Sequence, residues 1–568
     1  MTKTGKNKPV AHSARSGFLL SIFPSANLFS FIFNLFLFLL FLSSSAPCTP
    51  ELVPNSSGSA VAAYSAVNIS PYDRVYEDLR YLQTYGLIAS LNLDQLPITN
   101  LDLQSALQKD KESGSIDRAS PQNQAIIARI IRDYGLSDEP DKRDMLSRLK
   151  KKFLSFLSGE TADEPILTVG GTMDLSMKTG ESTKLYPLAR TYIAAELPFD
   201  MSFVNVMALD PYATESSNYI GNKWRGLSGY TEQAYMLWRP SFLRNKSIET
   251  RIIAGRCYLA NGPGRKGGLL FSSTYRPMDQ ARFEFSAKRF AFQSMTAKLD
   301  PMNGSNRYLS MHRLTLFFQN LQVAVNEVSL YNGVNRNVEW AYLNPFVFYH
   351  GEQMNGPNLD CNTLGSVDFY YAGKKWGLYG ELLIDDIQLD KKEPGDLEPN
   401  EIGGLLGIDI ADPFGIAGMY IGCEYAAITN RTYKTTNAAE YFVHRNAPIG
   451  YSLGSDLDRW NLNVKKTIGK WQAIGELDVL RKGEGEMDLA FDEPWMNYTV
   501  KEGYSESFPT GIVENTVDVG LELRYFPDYD RYCFIAMNWR NISNVDHGSW
   551  NDKDFILTAG IHWTVKTR

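Results

Sequence analysis

Residues Val517–Tyr525 read Val-Asp-Val-Gly-Leu-Glu-Leu-Arg-Tyr, with every odd position apolar and every even one polar or glycine. A strict period of two places successive side chains on opposite faces of a β-strand. The pattern returns at Phe555–Val565 and Ile193–Phe203, and more weakly at Arg282–Arg289, Leu314–Val328, Met419–Ala427 and Trp471–Leu480. Turn signals fall between these runs at Asn303-Gly304, Asn332-Gly333, Lys482-Gly483-Glu484-Gly485 and Pro527-Asp528. From Ile166 onward, about 400 residues carry this text without a helical interruption.

Such a chain folds as a soluble sheet protein or as a membrane barrel, whose lipid face is hidden in alternation. Three features favour the barrel. The alternating region is long. Aromatic residues make 12% of the chain, and Trp224, Tyr230, Trp238, Trp460, Tyr525, Trp539 and Trp563 fall near strand ends, where interfacial girdles lie. The N-terminus also supplies an export route. At about 22 residues per strand and connection, the region predicts about 16–18 strands. The fold class is therefore mainly β: a large transmembrane antiparallel barrel with a small N-terminal helical bundle.

The export segment begins with Lys3, Lys6, Lys8 and Arg15 and no acid in residues 1–17. Phe31–Leu42 is almost purely apolar, broken by Asn34, and is followed by Ser43-Ser44-Ser45-Ala46. A basic start, an apolar core of about a dozen residues and small residues after it describe a secretory signal. The alternative is an uncleaved anchor, since Phe18–Ser45 holds no charge, but a spanning helix needs about 20 apolar residues. Pro47 disfavours cleavage after Ala46 and disfavours lipidation of Cys48; Ala60 or Ala63 would serve as the cleavage site.

Between leader and strands the apolar period is that of helices. Ser70-Pro71 opens the first helix, with Val75, Leu79 and Leu82 on its apolar face, and Gly86 closes it. Thr99 or Asn100 starts a second. Ser120-Pro121 starts a third, closed by Gly135. A fourth runs over Lys142–Leu157, its lysines on a solvated face. The domains are thus 1–66, signal peptide and flexible leader; 67–160, helical bundle; and 161–568, barrel.

The net charge of −7 argues against a nucleic-acid partner, which a basic footprint would attract. The cysteines (Cys48, Cys257, Cys361, Cys423, Cys533) make no C-x-x-C pair, and the six histidines no ligand spacing. No metal site and no cofactor is expected.

One motif interrupts the alternation: Gly255-Arg256 at a strand end, the tight loop Gly262-Pro263-Gly264-Arg265-Lys266, then Leu269–Ser272 and Arg276-Pro277. It lacks the Lys-Ser/Thr ending and the following helix of a phosphate-cradling loop. A second group comprises Asn344-Pro345, Asn362 with Gly365 and Asp368, and Tyr379-Gly380 leading to Asp385. In this order the two groups resemble the Wzi-type capsule assembly proteins of the bacterial outer membrane, and the likeness extends over roughly residues 70–568. Departures are Asn261, where the family often has Trp, the interrupted Asp360-Cys361-Asn362, and an end at Arg568 in place of a terminal aromatic.

The resemblance implies a barrel of about eighteen strands with its helical bundle on the periplasmic side. It implies an outer-membrane location after export, and a role in holding or assembling surface polysaccharide. The implied partners are membrane lipid, capsule or exopolysaccharide, and the barrel-assembly machinery. Gly255, Gly262, Pro263, Gly264, Ser272, Pro345, Asn362, Tyr379, Gly380 and Asp385 are the family-motif structural positions.

Sugar binding uses stacking aromatics beside polar groups. The candidates are Trp224 with Tyr230, Trp340 with Tyr342 and Asn344, and Trp495 with Asn497 and Tyr498. Arg256, Arg265 and Arg276 would pair with acidic sugars, or with carboxylates across the lumen. Asp385-Asp386 does not suggest a glycosidase, because neighbours on a strand point to opposite faces. Catalysis is not expected. The rival functions are a passive diffusion channel and a secreted glycan hydrolase.

Overall fold

The computed structural model describes residues 66–134 and 167–566, apart from the short stretches 181–182, 198–199, 217–218, 220, 224–227, 244–247, 273–275, 356–360, 389–391 and 529–530. The export segment, Gly135, the expected fourth helix and Trp224 lie outside the described residues.

Eighteen antiparallel strands close into one barrel. In chain order they are β1 Leu167–Thr179, β2 Lys184–Leu197, β3 Met201–Leu209, β4 Gly229–Trp238, β5 Ile248–Cys257 and β6 Met278–Ala287. There follow β7 Phe290–Lys298, β8 Asn306–Phe317, β9 Leu321–Gly333, β10 Cys361–Ala372, β11 Trp376–Asp386 and β12 Glu401–Ala411. The last six are β13 Met419–Ile428, β14 Leu457–Ile468, β15 Trp471–Lys482, β16 Glu514–Asp528, β17 Arg531–Ser543 and β18 Asn551–Lys566. Each strand pairs with its neighbours in sequence, and β1 pairs with β18 to close the ring.

Connections alternate between short turns on one rim and longer loops on the other, the habit of outer-membrane barrels. The outward positions form an apolar belt. Phe555, Ile561 and Trp563 of β18, and Ile535 and Met537 of β17, are 44–57% exposed. Trp471 and Tyr525 pair across β15 and β16 at the short-turn rim, while Trp539 pairs with Phe555 toward the other, giving two aromatic levels.

Two of the alternating runs and one turn signal differ from the sequence expectation. Ile193–Phe203 is a reversal: β2 ends at Leu197 and β3 begins at Met201, with Asp200 at φ 58°. Leu314–Val328 likewise spans the turn between β8 and β9. Asn332-Gly333 is no turn but the paired end of β9, opposite Arg307 and Asn306.

The helices of the N-terminal segment are α1 Val75–Tyr85, α2 Asn100–Glu112 and α3 Pro121–Asp133, and two short helices, Trp340–Leu343 and Tyr349–Asn355, interrupt the strand region that the sequence presents as free of helix. Ser70-Pro71 forms a turn before α1 and not its cap; Asp73 Oδ1 accepts the N–H of Val75 instead. Gly86 ends α1 at φ 99°, a left-handed geometry that favours glycine. Thr99 and Asp102 form a reciprocal capping box on α2, and Ser120 caps α3 with Pro121 behind it. The apolar faces of all three helices share one core with Ala411 and Tyr420 of the barrel. This core closes the short-turn end.

Ion pairs fasten helices to wall. Arg251 of β5 binds Asp102 and Arg524 of β16 binds Glu77, while Asp78 is held by Arg129 and Lys465. The chain ahead of α1 reaches further in: Tyr235 of β4 bonds to Asn68 and to Ala66.

Candidate functional site

The Gly-Pro-Gly motif lies inside the barrel. The segment between β5 and β6 turns inward, and Ala260-Asn261 pairs with Gln95-Leu96 of the helical segment. The N–H of Gly262 donates to Asp94 O at 2.9 Å. The glycines are needed because the walls come close. A Cβ on Gly262 would lie 2.7 Å from Glu381 Oε2, and one on Gly264 would lie 2.2 Å from Gly267 O. Gly255, at φ 125°, would press on Ala234 O at 2.3 Å.

Beyond the turn, side chains of four strands grip the loop. Arg265 Nε donates to Asp409 Oδ2 at 3.0 Å, and its guanidinium carbon lies 4.0 Å from the Tyr379 ring centroid. The backbone N–H groups of Arg265 and Lys266 donate to Glu424, at 2.6 and 3.2 Å. Those of Leu269 and Leu270 donate to Glu381, at 2.8 and 3.1 Å. Lys266 pairs with Glu476. Tyr379, Glu381, Leu383 and Asp385 all stand on the inward face of β11. Gly380, on the opposite face, packs against Phe369.

A second loop, between β13 and β14, is drawn in beside the first. Asp385 accepts the N–H of Tyr433 at 2.6 Å, Tyr433 donates to Leu269 O at 2.6 Å, and Ser272 N donates to Ile449 O at 2.9 Å. Leu259, Leu269, Phe271, Phe442, Ile449 and Tyr451 form a packed core with the walls of β6 to β14. Asn362 is buried on the inward face of β10, and Pro345 sits in the loop before it. Nearby, Arg313 and Asp368 make a double hydrogen bond at 2.6 and 2.9 Å, with both side chains 1% exposed. Such a pair is tolerated in the interior only when fully hydrogen-bonded.

The long-loop rim carries the remaining arginines. Arg256 and Asp279 are register partners on β5 and β6 and form a two-point pair at 2.7 and 2.8 Å. Arg276 lies over the rings of Tyr230 and Tyr219, at 4.8 and 5.5 Å. Arg445, at the tip of a hairpin that pairs Val443–His444 with Ala447–Pro448, completes the group. Burial, and then the neighbouring Arg256 guanidinium, hold Arg445 below its ordinary value. Burial pushes the Asp300 carboxyl up. Hydrogen bonds from His444 and from the Arg445 backbone outweigh it and leave Asp300 at about 2.

The structure therefore gathers Arg256 and Arg276 at one rim and places Arg265 in the lumen clamp. Trp495 is 2% exposed and packs under Arg431 of the loop between β13 and β14, leaving Met496 and Tyr498 outside. Trp340 and Asn344 lie apart from both, on a loop over the outer wall described below. Arg445 escaped the sequence reading. Its only local signal was Arg445-Asn446, two residues with φ of 51° and 59° in a two-residue turn. Asp409 and Glu424 escaped because alternation marks them as inward without saying what they hold.

A barrel with an outward apolar belt and a lumen packed with its own loops and helices defines a plugged outer-membrane β-barrel. Residues 212–553 match the family described as capsule assembly protein Wzi. The chain belongs to that family.

Among solved structures, the barrel is similar to Wzi of Escherichia coli, described as a carbohydrate-binding β-barrel involved in group 1 capsule assembly. The TM-score is 0.55 at 14% identity, covering 88% of this chain and 99% of that one. OccAB4 of Acinetobacter baumannii follows at TM-score 0.40, 9% identity and coverage of 71% and 98%. OprD of Pseudomonas aeruginosa stands at 0.39, 8%, and 71% and 94%. No curated protein sequence matches the chain.

Proposed function

We propose that this barrel binds and organises capsular or exopolysaccharide at the cell surface, without covalent catalysis. On this reading residues 1–66 direct export, the helical segment 67–160 faces the periplasm, and the long-loop rim of the barrel 161–568 faces outward. The observation that carries it is the filled lumen: Arg265, Glu381 and Asp385 hold two loops across the barrel, so the work falls to the rim. There Arg256, Arg276 and Arg445, beside Tyr219 and Tyr230, suit the carboxylates and ring faces of acidic sugars. The lack of catalysis is supported by the dispersal of the acidic pair: Asp385 serves the Tyr433 backbone, and Asp386 accepts from Gln388.

The test is gene deletion followed by measurement of cell-bound and released polysaccharide. Loss of the bound fraction with equal total synthesis is expected. Unchanged retention refutes the capsule role. High open conductance of the wild-type protein in planar bilayers would favour a diffusion channel instead.

A further inference from the structure

The outer wall of β7 to β10 does not look like the rest of the belt. Outward positions on β9 share the parity of Val325, which is 53% exposed. The row through Phe292, Leu314, Val325 and Val367 is apolar. The next row toward the long-loop rim contains His312 and Glu327, and the one above it Ser310, Ser329 and Thr363. On β8 the outward apolar run is thus Leu314 and Leu316, whereas on β18 it extends from Phe555 to Trp563. Two positions of about 3.4 Å rise per residue fall well short of an apolar band about 25 Å tall.

The polar rows are nevertheless buried: Ser310 and Ser329 are 0% exposed, Thr363 7% and Glu327 8%. What covers them is the loop between β9 and β10, which folds outward over the wall. Its backbone N–H groups at Tyr349 and His350 donate to Glu327, at 3.0 and 2.8 Å, and His312 Nε2 contacts the same carboxylate at 3.0 Å. Tyr342 stacks on Tyr331 at 4.2 Å, and Phe346 lies parallel to Phe292 of the belt at 6.1 Å. The other side of the loop is apolar and open: Trp340 and Phe346 are each 87% exposed, Met354 67% and Phe348 66%.

We propose that residues 334–355 form a flap seated among the acyl chains of the outer leaflet, rebuilding the lipid belt over a polar stretch of wall. The occupant of its open face is lipid hydrocarbon, because that face continues the exposed belt through the Phe346–Phe292 contact and fills the height that β8 and β9 lack. Removing the flap would set Glu327 and His312 against hydrocarbon, where no water can satisfy their polar groups.

The test uses the full chain in lipid vesicles, with its native cysteines replaced and a nitroxide label at Phe346→Cys or Trp340→Cys. Val325→Cys is the belt reference and Lys501→Cys the aqueous one. Heat-modifiable gel mobility checks that each variant is folded. Labels at 346 and 340 should collide with oxygen in several-fold preference to a nickel chelate, as at 325. A ratio like that at 501 overturns the proposal, as does a label that neither reagent reaches, which would mean a protein partner or a second copy covers the face. Should the cysteine-replaced chain not insert, the otherwise native chain serves. The Trp340 emission, taken as the difference from Trp340→Phe, should be quenched by acyl-brominated phosphatidylcholine and spared by aqueous iodide; the opposite result overturns the proposal.

Discussion

Asp385 accepts the backbone N–H of Tyr433 at 2.6 Å, so one carboxylate on β11 holds a loop that begins beyond β13. The same strand offers Glu381 to the Gly-Pro-Gly loop, four residues earlier on the same face. One strand thus organises both inserted loops, and closure of the lumen depends on a few such contacts.

Arg265→Ala should loosen the plug without dismantling the barrel. It leaves the fully buried Asp409 carboxylate without its cationic partner, a loss of about 3–5 kcal/mol for a buried pair. Planar-bilayer traces are expected to change from silent to openings of measurable conductance. Arg265→Lys should rescue only in part, since an ammonium cannot reproduce the planar fork.

Gly264→Ala and Gly404→Ala make a matched pair. The first drives a methyl against Gly267 O, while the second meets nothing within 4 Å. The first should lower the yield of folded, heat-modifiable barrel by a cost of about 1–3 kcal/mol. The second should stay within about 0.5 kcal/mol of wild type.

Glu398, on the loop between β11 and β12, predicts a pH effect. Burial, and then the nearby Asp386, raise its carboxyl from 4.5 to about 7. The folded loop therefore binds the proton more tightly than the unfolded chain does. This contribution is fully present below pH 4.5 and is lost as pH rises through about 7. Protease cleavage in residues 387–400 should be faster at pH 8 than at pH 5, and Glu398→Gln should flatten the difference.

Arg276→Ala and Arg445→Ala should each weaken binding of an acidic polysaccharide by about tenfold, near 1.4 kcal/mol. Binding should fall with added salt, as partly exposed charges are screened. Equal losses for a neutral glucan in titration calorimetry would contradict the electrostatic part of the proposal.

The strong alternating runs at Val517–Tyr525 and Phe555–Val565 lie within β16 and β18 because both of their faces are ordinary: apolar toward lipid, polar toward the lumen. Leu314–Val328 was a weak run for a physical reason. It crosses the turn between β8 and β9, and Glu327 faces outward near its end, so the contrast between the two faces fades. The cap at Thr99 was legible because capping is local. The supposed cap at Ser70 failed because Asp73, three residues on, competes for the same role.

The sequence by itself determined the period of the strands, the caps of α2 and α3, and a tight turn in the loop at 262–264. Each depends on backbone geometry over a few residues. Only the tertiary structure decided what those elements enclose. Arg265 meets Asp409 across 144 residues, and Glu327 is covered by a loop over the outer wall. Such pairings exist only once eighteen strands have closed, because closure sets which inward and outward faces share a space.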